Sequence, residues 1–261
     1  MRRRNKKKIL KNLSLSRIVP SLATLTALLV GLTQIRFALR EQWELAVIAL
    51  VIAAFFDATD GRLARLLNSC SRFGAELDSL SDFAVFGLCP AVVMYLYSLS
   101  NLGRTGWAIS IFFAACMGLR LARFNAHDIE NVKTPLSGKF FTGTPAPAGA
   151  VLSLFPIILY NAFQLEIFKD PYFCAVNALV AGLLCISTIP TLSIKKFHIR
   201  RDQYVLFLLS ISLAIGIVFA YTWKAFCVII AAYVASLFVC AKKAKILLES
   251  LNNAALQDER Q

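Results

Sequence analysis

The sequence predicts an all-α protein: a polytopic membrane bundle of six to eight transmembrane helices with a cytoplasm-facing two-metal site. Three observations carry this expectation. The first is composition: the chain has 261 residues, 58% of them hydrophobic, and a mean hydropathy of +0.65, well beyond a soluble domain. The second is that the apolar residues form runs close to the roughly 20 residues of helix that cross a bilayer. The third is that Asp57, Asp60, Asp78 and Asp82 gather around the end of one run and the start of the next.

Taken in order, the chain opens with a basic cluster, Arg2, Arg3, Arg4, Lys6, Lys7 and Lys8, in a juxtamembrane segment 1–17. The stretch 9–17 suits an interfacial helix with Ile9, Leu10, Leu13 and Leu15 toward lipid. A basic start before an apolar run also resembles a signal peptide, but the run is long and lacks a small-residue cleavage site, so an uncleaved first span is expected. Eight candidate spans come next, at 18–35, 43–60, 82–100, 105–122, 145–163, 172–192, 203–221 and 223–241, the last two nearly fused around Thr222. A polar loop at 123–144 re-enters the membrane through Pro145 and Pro147, where proline at a helix start is tolerated because the first N–H groups lack partners anyway. Residues 18–241 read as one membrane domain and 242–261 as a cytoplasmic tail.

Charge orients the bundle. With the N-terminus in the cytoplasm, all but five of the 28 Lys and Arg residues fall on that side; Arg36, Arg40, Arg104, Lys169 and Lys224 fall on the other. Both termini and the aspartates then face the cytoplasm, across the cell (inner) membrane. The net charge of +13 raises nucleic acid as a partner. Its distribution follows membrane topology and anionic headgroups instead, so membrane lipids are expected and nucleic acid is not. The seven cysteines are scattered without a C-x-x-C pair, and read as small packing residues rather than a disulfide or zinc framework.

The aspartates carry the chemistry. Asp57, Asp60, Gly61, Ala64 and Arg65 fall at i, i+3, i+4, i+7 and i+8, one face of a helix. Gly74, Asp78 and Asp82 fall at i, i+4 and i+8, again one face. A carboxylate costs on the order of 3 kcal/mol at mid-membrane on insertion scales, so four together demand a compensating cation. Helix capping accounts for one Asp at a helix start, not for two facing stripes. Carboxylate oxygens suit Mg²⁺ or Mn²⁺. Two such ions, roughly 3.5–4 Å apart, suit displacement at phosphorus. The small residues leave room for a neighbouring helix or a ligand, and Arg65 suits phosphate.

At every defined position from Asp57 to Asp82 the sequence resembles the signature of the CDP-alcohol phosphatidyltransferase family. The resemblance implies two bound divalent ions held by Asp57, Asp60 and Asp78, with Asp82 a further ligand or the general base. It also implies that Asp60, Gly61, Ala64, Arg65 and Gly74 surround the CDP moiety of CDP-diacylglycerol. Three further segments resemble the members that use L-serine and form phosphatidylserine: Leu119–Asn125, Phe141–Ala148 and Ser187–Thr191 with Lys195 and Lys196. In that group the residue between the two prolines is often Ser, where this chain has Ala146, and its Pro-Asn-x-x-Thr appears as Pro20-Ser21-Leu22-Ala23-Thr24. The resemblance further implies a homodimer. Arg120 and Arg123 read either as positive-inside anchors or as ligands for phosphate or the serine carboxylate. Two other classes compete: a sister transferase using glycerol 3-phosphate or inositol phosphate, and a cation-binding transporter. Against the transporter stand the rim position of the carboxylates and the lack of an inverted repeat.

Overall fold

The computed structural model describes residues 15–67, 71–130, 140–142, 144–187, 190–192, 216, 220–237 and 239. The segment 1–14, most of the expected span 203–221, loop residues 131–139 and the tail 242–261 lie outside the described residues. Two helices of 24 residues, α1 (Leu15–Ala38) and α2 (Trp43–Leu66), pack along their length as an antiparallel hairpin. The turn between them closes with Gln42 N–H donating to the Phe37 carbonyl at 2.9 Å. A long rod comes after it: α3 (Arg72–Asp82), a π-helical turn (Phe83–Leu88) and α4 (Cys89–Tyr97). Next come a 3₁₀ turn (Leu99–Leu102), α5 (Arg104–Glu130), the short helices α6 (Ala146–Ser153) and α7 (Phe155–Phe163), a second 3₁₀ turn (Glu166–Lys169), α8 (Pro171–Ile186) and α9 (Thr222–Leu237).

Among the described residues three helical stretches are long and apolar enough to cross a membrane, Val19–Ala38, Phe73–Tyr97 and Arg104–Ala126, and the α6–α7 pair makes a fourth if counted as one span. The helix α2 is as long but carries Glu44, Asp57 and Asp60. Large apolar side chains point outward along these helices, Leu29 at 66% and Phe55 at 69% exposure. Outward apolar faces on helices of this length mark a membrane protein.

The core forms where the π turn meets α1, α5 and α6. Val85 and Phe86 of that turn are buried with Phe113 and Met117 of α5 and Leu50 of α2. Small residues let the backbones approach: a Cβ at Gly31 of α1 would overlap the γ-carbons of Val85. At the end of the bundle away from the aspartates, Trp43 meets Tyr97 edge to face at 5.2 Å and Tyr95 meets Trp107 at 5.1 Å. Such rings favour the membrane–water boundary. From Trp43 to Asp60 the helix rises about 25 Å at 1.5 Å per residue, so rings and carboxylates are separated by a distance close to the roughly 30 Å of a bilayer's hydrocarbon core.

Several expected boundaries move. The expected span 145–163 is two helices bent by 52°. Pro156 has no N–H for the Leu152 carbonyl, and Ile157 N–H turns to Leu154, freeing Ser153 as well. The Asn177 side-chain amide on α8 donates to both freed carbonyls at 3.0 Å. The span expected from residue 82 begins ten residues earlier, because Ser71 caps α3 by accepting from Gly74 N–H at 3.0 Å. The helix α5 runs into the expected loop 123–144 as far as Glu130. The span 172–192 ends at Ile186, where Ser187 leaves the helical region at φ −58°, ψ 150°. The all-α expectation has one exception: β1 (Phe140–Thr142) pairs antiparallel with β2 (Pro190–Leu192), Phe141 opposite Thr191.

Because Val85 is stiff at χ1 and buried, Gly31→Ala has no cheap accommodation. It is expected to cost about 1–3 kcal/mol, read as a lower thermal-unfolding midpoint in detergent; an unchanged midpoint would disprove the close approach of α1 to the π turn.

Candidate metal centre

The carboxylates come from two helices joined by a short connection. Asp57 and Asp60 occupy the last turns of α2, and Asp78 and Asp82 lie one turn apart on α3. Because α3 is regular as far as Asp82, its i, i+4, i+8 stripe is a single face, and it turns toward α2. Carboxylate oxygens of Asp57, Asp60 and Asp78 lie within 4.8 Å of one another. Asp82 stands outside that trio, with its carboxyl in hydrogen-bonding contact with Asp57.

Asp60 is the buried member, 4% exposed. Thr24 Oγ1 of α1 donates to Asp60 Oδ2 at 2.6 Å, and the Gly61 N–H donates to the same carboxylate. Among the described residues no Lys, Arg or His forms an ion pair with any of the four aspartates. Two unit charges 4.8 Å apart repel by roughly 3–4 kcal/mol at an effective dielectric near 20. Such a cluster is stable only with shared protons or a bound cation. All-oxygen donors of this kind fit a hard divalent ion, Mg²⁺ or Mn²⁺.

The glycines leave one side open. Among the described residues, a Cβ at Gly61 would meet nothing within 4 Å, and one at Gly74 would meet only Ser71 Oγ at 3.1 Å. Packing among the described residues therefore does not require a glycine at 61. The backbones of Ala64 and Arg65 continue the same helix face; their side chains lie outside the described residues.

The helix α5 carries the arginines. Arg123 spends both terminal nitrogens on the end of α8, Nη1 donating to the Ile186 carbonyl at 2.9 Å and Nη2 to Ser187 at 3.3 Å. Arg120 donates through Nε to the Thr144 carbonyl and lies within electrostatic reach of Asp82. Thr144 Oγ1 in turn donates to the Leu184 carbonyl at 3.3 Å. With the β1–β2 pairing, these bonds gather the described residues of three distant segments, 119–125, 141–142 with 144–148, and 187 with 190–191, at the carboxylate end of the bundle. Asn125 adds a tie, its side-chain amide donating to Ser79 Oγ at 2.9 Å beside the aspartate stripe.

Sequence reasoning assigned no role to Thr24, Asn125 or Ser79. Thr24 was visible only as the end of the Pro20–Thr24 segment; its partner lies 36 residues away, and helix periodicity does not reach that far.

The sequence profile of the CDP-alcohol phosphatidyltransferases matches residues 17–194. A Mycobacterium tuberculosis (strain H37Rv) protein named CDP-diacylglycerol–serine O-phosphatidyltransferase is 39% identical over 181 residues, which cover 69% of this chain and 62% of that one. The protein of the same name from Helicobacter pylori (strain 26695) is 36% identical over 197 residues, 75% of this chain and 81% of the other. That from Bacillus subtilis (strain 168) is 32% identical over 149 residues, 57% and 80% of the two chains. The chain thus spans 62% of the length of the mycobacterial relative it matches.

Asp57→Asn removes a carboxylate shared by the trio and by Asp82. It is expected to weaken Mn²⁺ binding to the purified protein by at least about tenfold, the scale of a lost charge-assisted contact, whereas Gly61→Ala keeps both Mn²⁺ binding and the unfolding midpoint. Unchanged Mn²⁺ binding in Asp57→Asn would rule out the trio as the ion's site.

Proposed function

Since the chain belongs to the CDP-alcohol phosphatidyltransferase family, we propose that it transfers the phosphatidyl group of CDP-diacylglycerol to L-serine, forming phosphatidylserine and CMP. The observation that carries this reading is the gathering of the described residues of segments 119–125, 141–148 and 187–191 beside the aspartates, with Arg120 within reach of Asp82. These are the segments that resemble the serine-using members, and the relatives bearing that name are 32–40% identical.

In this reading Asp57, Asp60 and Asp78 hold the divalent ions, two of Mg²⁺ or Mn²⁺, with Asp82 able to share one. When bound, the ions neutralise the diphosphate of the donor and the charge on departing CMP. Thr24 and the Gly61 N–H orient Asp60 for this task. The open side above Gly61 and Gly74 admits the CDP moiety against the backbone, and Ala64 and Arg65 extend that wall. Arg120 faces the serine carboxylate. Arg123, engaged with the end of α8, holds the acceptor side in place.

Asp82 takes the proton of the serine hydroxyl as its oxygen attacks the β-phosphorus. The bond from that phosphorus to the bridging oxygen breaks, and CMP leaves with the electron pair. A neutral serine hydroxyl is a poor nucleophile, and a positioned base contributes typically 10²–10⁴-fold. Asp82 suits the role because it stands apart from the trio yet touches Asp57.

The wider setting is a homodimer in the cell (inner) membrane, each chain with six to eight spans, residues 18–241 forming the membrane domain. Segment 1–17, tail 242–261 and the metal site face the cytoplasm. The skewed distribution of Lys and Arg supports the orientation, and the homodimer rests on the family resemblance.

Purified protein given CDP-diacylglycerol, Mn²⁺ and a panel of alcohols is expected to release CMP with L-serine, and Asp82→Asn to lose at least about 10²-fold in turnover while still binding Mn²⁺. Turnover with glycerol 3-phosphate or inositol phosphate but not serine would replace the acceptor. No CMP release under any condition would favour a transporter. The orientation has its own test: a cysteine introduced at position 130 is expected to react with an impermeant maleimide only after cells are opened. Labelling of intact cells would reverse the topology.

A further inference from the structure

The π turn between α3 and α4 exposes a backbone problem that a distant side chain solves. Cys89 N–H reaches back five residues to the Ala84 carbonyl, the wide hydrogen bond of a π turn. The next bond in that pattern would run from residue 90 to the Val85 carbonyl, but residue 90 is proline and has no N–H. Gln34 of α1 supplies the missing donor, its Nε2 lying 3.3 Å from the Val85 oxygen. Gln34 is fully buried, at 0% exposure, and 51 residues from its partner in sequence. The same solution serves Pro156, where the Asn177 amide takes the carbonyls left over.

The turn lies immediately after Asp82, so its geometry reaches the carboxylates. One extra residue in a helix rotates the downstream part by about 100° relative to the upstream part, at 3.6 residues per turn. Here α4 is locked in the core through Cys89, Pro90, Val93 and Met94. The rotation therefore sets the direction in which α3 presents Asp78 and Asp82. The helix α1 also grips α2 near its end, through Thr24 and Asp60. Thr24, Gly31 and Gln34 fall at i, i+7 and i+10, one face of α1.

We propose that Gln34 is a positioning residue for the carboxylate site: by holding the Val85 carbonyl that Pro90 leaves without a donor, it maintains the π turn that aims Asp78 and Asp82 at Asp57 and Asp60. The proposal deepens the metal-dependent reading of the site and rests on it. It requires Gln34, which touches neither ion nor substrate, to control metal affinity.

The experiment measures Mn²⁺ binding directly on full-length protein in detergent, together with serine-dependent CMP release. Gln34→Leu is expected to weaken Mn²⁺ binding by about tenfold, the scale of one lost buried hydrogen bond, and to raise the Mn²⁺ needed for half-maximal turnover in step, with the KM for serine at saturating metal unchanged. In the Pro90→Ala background, where residue 90 regains an N–H, Gln34→Leu is expected to have no further effect on Mn²⁺ binding within about twofold, the non-additivity of two groups serving one carbonyl. If Gln34→Leu is not recovered folded, Gln34→Asn, whose amide is one methylene short of Val85, takes its place with the same expectation. Wild-type Mn²⁺ affinity in the variant, or an equal loss in both backgrounds, would overturn the proposal and leave Gln34 a packing residue. Mn²⁺ binding without CMP release from the unmodified protein would sink the transferase reading alone, and the affinity comparison would still decide the role of Gln34. Absence of Mn²⁺ binding to the unmodified protein would overturn both.

Discussion

Four carboxyl groups brought together at one end of a membrane-protein bundle form the constraint around which it is arranged. When ionised they repel one another, and none has a basic side chain in ion-pairing contact among the described residues. The gathering is stable only with protons or cations in it, so the site resists assembly until its occupant arrives. The protein meets that resistance with fixed scaffolding. Asp60 is buried and oriented by Thr24 and Gly61, and α3 is started by a Ser71 cap. These bonds are made before any ligand binds, which limits the reorganisation that binding requires.

The same scaffold answers a second constraint, the absence of water in the hydrocarbon slab. A carbonyl freed by proline cannot turn to solvent there, and leaving it unpaired costs several kcal/mol. Pro90 and Pro156 each free carbonyls inside the bundle, and two side-chain amides, the fully buried Gln34 and the half-buried Asn177, take them up. Proline thus serves in both places to wind or bend a helix at a chosen point, with the amide from a neighbouring helix fixing the result. Glycines do the complementary work. Gly31 admits Val85 against the backbone of α1, while Gly61 has, among the described residues, open space where its side chain would be. One small residue is explained by packing, the other by what the site must admit.

The acceptor side is built from segments that lie far apart along the chain. Residues 119–125 sit on a helix, 144–148 lead into another after the strand residues 141–142, and 187 closes a third ahead of the strand residues 190–191. They meet because Arg123 ties α5 to the end of α8, Arg120 reaches Thr144, and two short strands pair. The arginines were legible as basic residues near a membrane boundary, a placement that positive-inside anchoring explains equally well. Their partners are backbone carbonyls, which carry no side-chain signature in a sequence.

By itself the sequence determined the helical class, the membrane setting and the four aspartates, because hydrophobic runs and helical spacing are local properties. It placed Asp57 and Asp60 on one helix face and Asp78 and Asp82 on another, and the structure brings the carboxylates of Asp57, Asp60 and Asp78 within 4.8 Å of one another. Only the tertiary structure decided what meets them: Thr24 against Asp60, Gln34 against the π turn, and the convergence of three segments near Asp82. Breaks likewise escaped the sequence. The bend at Leu154 and the π turn depend on where a carbonyl freed by proline finds a donor, and that donor lies on another helix. Periodicity records which way a side chain points along its own helix. It does not record which distant group completes a hydrogen bond, and that pairing sets the geometry of the site.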